Sequence, residues 1–70
     1  MELVYVGSSW VDQIGFDGAE QEIHVISRKG DHYIYTGCSE DVWNNLLNAQ
    51  SKGTFINEEL KGRGYSFRRG

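Results

Sequence analysis

The sequence predicts an α+β domain in which a small antiparallel β-meander of three to four strands is followed by one or two C-terminal helices packed on one face. Three observations predict it. Short segments in the first half alternate apolar and polar residues, glycine-bearing turn signals separate them, and beyond Cys38 the apolar spacing lengthens from two residues to three or four.

From Trp10 to Phe16, Ile14 and Phe16 alternate with polar neighbours. Asp17-Gly18 follows where a two-residue type I′ turn would sit, a turn that needs positive φ at both central residues. Glu22 to Arg28 reads as a second strand with Ile23 and Val25 on one face, and Lys29-Gly30 as the next turn. His32 to Thr36 makes a third strand rich in β-favouring tyrosine and isoleucine, and Leu3 to Val6 adds an edge strand. Ser39 is a good helix N-cap, and Glu40 and Asp41 place negative charge in the first turn, where the helix dipole favours it. Trp43, Leu46 and Leu47 recur at helical spacing, so a helix is expected over about 40–50. Ser51-Lys52-Gly53 interrupts it, and Thr54 to Leu60 forms a second short helix that buries Phe55, Ile56 and Leu60. Gly62 and Gly64 then loosen the chain before an aromatic and basic tail, Tyr65-Ser66-Phe67-Arg68-Arg69.

With 70 residues, no proline and no repeat, the chain is read as one domain over 1–70. A chain this short buries only about 60% of its unfolded surface. Its single cysteine excludes an internal disulfide and a thiolate-rich zinc site, which leaves self-association as the remaining route to stability, so a homo-oligomer is expected. No stretch approaches the roughly 20 apolar residues of a membrane span, and a soluble, cytoplasmic protein is the reading. The net charge is −3, too acidic for a protein that coats nucleic acid by bulk attraction. The charge is unevenly spread. Residues 1–51 hold two basic and eight acidic residues, and residues 52–70 hold five basic and two acidic ones.

No catalytic constellation is legible. His24 and His32 fall on neighbouring strands, but no carboxylate or cysteine stands at a spacing that completes a metal site or a triad. Cys38 sits near a helix start without a basic neighbour to activate it. The expectation is therefore a non-enzymatic protein with no cofactor and no metal. The informative residues are aromatic and basic. Tyr33 and Tyr35 share one strand face, as packed core rings or as a stacking surface, while Lys52, Lys61, Arg63, Arg68 and Arg69 supply cations for a phosphate.

The order Ser8-Ser9, Gly15-Phe16-Asp17, Tyr33-Ile34-Tyr35, Ala49-Gln50-Ser51-Lys52-Gly53-Thr54-Phe55-Ile56-Asn57, then Tyr65 and Arg68, resembles the KTSC domain over about residues 8–69. That family is named for its occurrence at the C-terminus of some lysyl-tRNA synthetases, and it also occurs as stand-alone small proteins of bacteria and their viruses. Its most specific parts here are the Tyr-x-Tyr pair and the Ser-x-Gly-x-Phe-x-Asn stretch. Two positions depart from it: Gly37-Cys38 stands where the family tends to have Val-Pro, and Phe16 where it often has tyrosine. Attachment to a synthetase implies RNA as a partner.

The function expected from these residues is a binding module for a phosphate-bearing ligand, RNA or a nucleotide, with Tyr33 and Tyr35 stacking and the five cations on phosphate. One alternative is a phage or mobile-element protein that inhibits a host defence factor or sequesters a host nucleotide signal. A host protein would then be met through the acidic residues Glu20, Glu22, Asp31, Glu40 and Asp41. A further alternative is a structural or dimerisation module.

Overall fold

A computed structural model describes all residues, Met1–Gly70. Five strands form one antiparallel sheet in sequence order: β1 (Leu3–Tyr5), β2 (Val11–Asp17), β3 (Glu22–Ser27), β4 (His32–Tyr35) and β5 (Phe67–Arg69). Between β4 and β5 the chain forms α1 (Glu40–Asn48) and α2 (Lys52–Phe55). The latter runs without a break into a π-helical segment (Ile56–Lys61). The α+β meander with helices on one face is as the sequence predicts. The fifth strand is an addition, because the tail returns to pair with β4 instead of staying loose. No helix is long and apolar enough to cross a membrane.

The first turn differs from expectation. Asp17 pairs with Glu22, so a four-residue loop replaces the two-residue Asp-Gly turn. Its positive φ falls on Gln21 (54°), and Asp17 Oδ1 accepts from the Glu20 amide at 3.3 Å. Asparagine-like side chains that bond two or three residues ahead stabilise such longer loops without glycine at the left-handed position. The second turn is as expected: Gly30 adopts φ 93° and its amide donates to the Ser27 carbonyl.

Strand alternation sorts the side chains onto two faces. Ile14, Val25 and Tyr33 form one cross-strand row, and Phe16, Ile23 and Tyr35 the next. Val11, Ile14, Ile23, Val25 and Tyr35 meet Cys38, Leu46, Ile56 and Leu60 in one core cluster. Trp43 lies over Phe16, the rings stacked at 5.6 Å between centroids. Helix α1 starts as expected, with Ser39 Oγ accepting from the Val42 amide, but only Leu46 is fully buried on it. Leu47 is 41% exposed, because the roughly 100° rotation per residue carries position 47 to the edge of the stripe set by 42, 43 and 46. In the second helical segment Ile56 and Leu60 are buried and Phe55 is half-buried.

Gly53 explains part of the Ser-x-Gly-x-Phe-x-Asn stretch. Ser51 caps α2 by accepting from the Thr54 amide, and the missing side chain of Gly53 lets the helix press on the β1–β2 connection. A Cβ there would lie 2.5 Å from Ser8 Oγ and 2.7 Å from the indole nitrogen of Trp10.

Two stability outcomes follow from this packing. Leu46→Ala is expected to cost about 2–5 kcal/mol, the range for emptying a buried leucine site. Gly53→Ala is expected to cost about 1–3 kcal/mol, since the Trp10 ring has to move to relieve the overlap. Urea denaturation of both variants against the parent measures the two effects.

Candidate functional site

One cleft of about 600 Å³ opens on the helix-covered side of the sheet, walled by β4 and β5, the β3–β4 turn, the residues just before β2 and the π-helical segment. Its floor and wall are aromatic. Tyr33 and Tyr35 come from β4, Phe67 from β5 and Trp10 from the bend just before β2. The rings are locked together: Phe67 meets Tyr33 edge-on at 5.7 Å and Tyr35 at 5.5 Å. Around the rim stand Arg28 and Lys29 from the β3–β4 turn, Lys61 from the end of the π-helical segment and Arg69 from β5. Ser27 and Asn57 add polar groups. The only acid lining the cleft is Asp31, which accepts from Arg69 at 2.8 Å.

Four of the seven residues singled out from the sequence are brought together here: Tyr33, Tyr35, Lys61 and Arg69. Tyr35 is 3% exposed and belongs to the core, so it cannot offer a ring face to a ligand. Burial also pushes its hydroxyl pKa up, as does the neighbouring Tyr33. The half-buried Tyr33 and the 48% exposed Phe67 present the accessible aromatic surface instead. The Arg69 guanidinium lies 4.9 Å from the Tyr33 ring centre, a cation–π contact that orients both groups.

The other three predicted cations lie elsewhere. Arg68 neighbours Phe67 and Arg69 in sequence, so strand alternation sends it to the opposite face, where it donates to both Glu22 oxygens from its two terminal guanidinium nitrogens. That pairing holds the Glu22 carboxyl below its usual pKa and raises that of Arg68. Arg63 pairs with Glu59 one helical turn back at 2.8 Å, on an exposed surface. Lys52 caps the end of α1 by donating to the Ala49 carbonyl at 2.8 Å and lines a separate hydroxyl-rich recess with Ser8, Ser9 and Ser51. Sequence reasoning missed Arg28, Lys29, Trp10 and Asn57. The Lys29-Gly30 turn signal alone could have placed two of them at a strand end beside Tyr33.

The opposite face carries a second polar group. His24 and His32 sit diagonally on β3 and β4 and share a hydrogen bond, Nδ1 to Nε2, of 2.9 Å. Glu22 Oε1 is 3.9 Å from His24 Nε2, and Asp17 completes a cluster that the sequence spacing did not reveal. The pairing Asp17–Glu22 across the first loop brings these acids to the imidazole. Burial depresses the His24 pKa, and the positive form of His32 adds to this. Cys38 is fully buried and its thiol pKa is pushed up by desolvation, which keeps it protonated and unreactive.

A sequence profile of the KTSC domain matches residues 7–65 of this chain. A protein of Tsukamurella paurometabola is 36% identical over 58 residues, covering 83% of this chain and 87% of its own. The crystal structure of a KTSC domain protein from Yersinia pestis superimposes with a TM-score of 0.90 at 29% identity, over 99% of this chain and 96% of that one.

The depressed His24 fixes the sign of a pH effect. The unfolded chain takes up a proton near the usual value of about 6.5, while the folded chain resists it, so stability is full above that value and falls as pH drops below it. Glu22 reinforces the loss further down, as its carboxylate protonates. Melting temperatures in metal-free buffer are expected to decline from pH 7 to 5. The upper part of the decline should disappear in His24→Gln.

Proposed function

The chain belongs to the KTSC domain family, and on that footing we propose that its aromatic and basic cleft binds a phosphate-bearing ligand with a planar base, a nucleotide or one residue of single-stranded RNA. The observation that carries the reading is the composition of this cleft: an accessible Tyr33–Phe67 aromatic surface faced by Arg28, Lys29, Lys61 and Arg69, with Asp31 as the sole acid. The volume of about 600 Å³ falls within the range of small-molecule sites, about 300–1,000 Å³.

The parts divide the work. Base stacking is sequence-tolerant because every base has a π face, and Tyr33 and Phe67 provide the surface for it. Arg28, Lys29 and Lys61 make no ion pair within the chain; Arg28 donates to the Ser8 carbonyl at 2.9 Å, which leaves Lys29 and Lys61 as the cations most available to phosphate. Arg69 stays on Asp31 and Tyr33, which holds the wall in place. Ser27 and Asn57 are the groups at hand for hydrogen bonding to sugar or base edges. This is a binding arrangement: no nucleophile with an adjacent base lines the cleft.

The titration of ATP, AMP and a short single-stranded RNA into the protein, followed by the fluorescence of Trp10 in the cleft, tests the proposal. Lys29→Ala and Lys61→Ala are each expected to weaken binding and to lower the salt slope by about 0.7 per lost phosphate contact. Phe67→Ala should cost about 1–3 kcal/mol with the salt slope unchanged. Lys52→Ala and Arg63→Ala lie outside the cleft and should bind like the parent. A parent that binds none of the three ligands, or a Lys61→Ala protein indistinguishable from it, sinks the reading.

A further inference from the structure

We propose that Asp17, Glu22 and His24, on the sheet face opposite the cleft, form a binding site for a divalent transition-metal ion of the zinc class, with His32 as the positioning residue behind His24. The donor atoms are already gathered: one oxygen from each carboxylate and the His24 nitrogen lie within 4.8 Å of one another. Backbone pairing places them there. Asp17 is the last residue of β2 and pairs with Glu22, the first of β3, while His24 is two residues on and so shares the face of Glu22. Glu22 and His24 keep only 8% and 9% of their surface.

The second observation is the orientation of the imidazole. His24 Nδ1 is engaged by His32 Nε2 at 2.9 Å, and His24 Nε2 makes no hydrogen bond, facing Glu22 at 3.9 Å. A histidine that ligates a metal almost always gives its other ring N–H to a partner, which fixes the tautomer and aims the free lone pair. Here His32 is that partner. In the tautomer that donates Nδ1–H to His32, the Nε2 lone pair faces Glu22 Oε1 and Asp17, a set of acceptors that a cation would draw together. Arg68, its side chain 56% exposed, donates to both Glu22 oxygens from the rim, so Glu22 offers the metal the lone pair of Oε1 that the guanidinium leaves free.

One imidazole nitrogen and two carboxylate oxygens suit zinc-class ions better than magnesium, which prefers oxygen and retained water. Metal–ligand bonds of about 2.0–2.2 Å draw the donors closer than they now stand. Asp17, half-buried at a strand end, is held by one long hydrogen bond, from the Glu20 amide to Oδ1 at 3.3 Å, and is the donor with the most freedom to make that move. Three protein ligands leave a coordination position open to water or an outside ligand.

Calorimetric titration of zinc chloride into chelator-treated protein at neutral pH, with magnesium chloride in parallel, tests the site. The expected result is one saturable zinc site per chain, no comparable magnesium binding, and a zinc-dependent rise in melting temperature. Asp17→Asn should weaken zinc at least about tenfold, His24→Gln should abolish the site, and His32→Ala should weaken it about 10–100-fold as an outer partner does. Cys38→Ser, which removes the only thiol, should bind as the parent does. Because Asp17 lies outside the core, circular dichroism of Asp17→Asn separates lost binding from lost folding. Zinc binding no stronger than about 1 mM, equal binding by a folded Asp17→Asn, or equal affinity for magnesium each overturns the proposal.

Discussion

The register of β3, the central strand, is the constraint on which both faces of this protein depend. It is paired on both edges, with β2 and with β4, and nearly all of its residues are buried. Its odd-numbered residues Ile23 and Val25 enter the core, while Glu22 and His24 line the other face. A slip of one residue would exchange the two sets, burying a carboxylate and an imidazole under the helices and exposing two aliphatic side chains. Fixing β3 therefore fixes at once the core that holds the helices and the polar group that meets Asp17, His32 and Arg68.

The separation of charge along the chain has its main use inside the molecule. The acidic first part and the basic tail are brought side by side when β5 pairs with β4, so Arg68 finds Glu22 and Arg69 finds Asp31. Exposed ion pairs contribute little each. The Glu22–Arg68 pair is different in kind, being two-pronged with one partner largely buried, so removal of Arg68 would leave a carboxylate short of its donors. The same pairing spends two of the tail's cations at home and leaves Arg28, Lys29 and Lys61 as the unpaired charges of the cleft. A cluster of basic residues in sequence is thus divided by strand alternation between two faces with different chemistry.

The Ser-x-Gly-x-Phe-x-Asn stretch joins packing to the cleft in a single helical run. Ser51 caps, Gly53 admits Trp10, and Phe55 packs against the core. Asn57 then projects to the cleft from the π-helical segment. Single π turns shift the side chains beyond them by part of a turn, a device frequent at functional sites. Here the wide turn carries both Asn57 and Lys61 to the cleft while Ile56 and Leu60 stay in the core.

By itself the sequence determined the class of fold, the positions of β1 to β4 and of α1, and the family resemblance. Each of these is written in local terms: period-two alternation, Ser39 as a cap, glycine at the second turn, and apolar spacing at three and four. The sequence called for a second helix too but began it at Thr54, whereas Ser51 caps that helix and Lys52 and Gly53 form its first turn. It also marked Tyr33, Lys61 and Arg69 as residues of one candidate site. Only the tertiary structure decided the rest. The tail Phe67–Arg69 is too short and too charged to read as a strand, and becomes one because the open edge of β4 offers it hydrogen bonds. Tyr35 and Tyr33 share a face, yet one is core and the other rim, since the helices cover only part of that face. Asp17, Glu22, His24 and His32 show no metal-ligand spacing in the chain, because two cross-strand pairings, and not sequence proximity, bring them together.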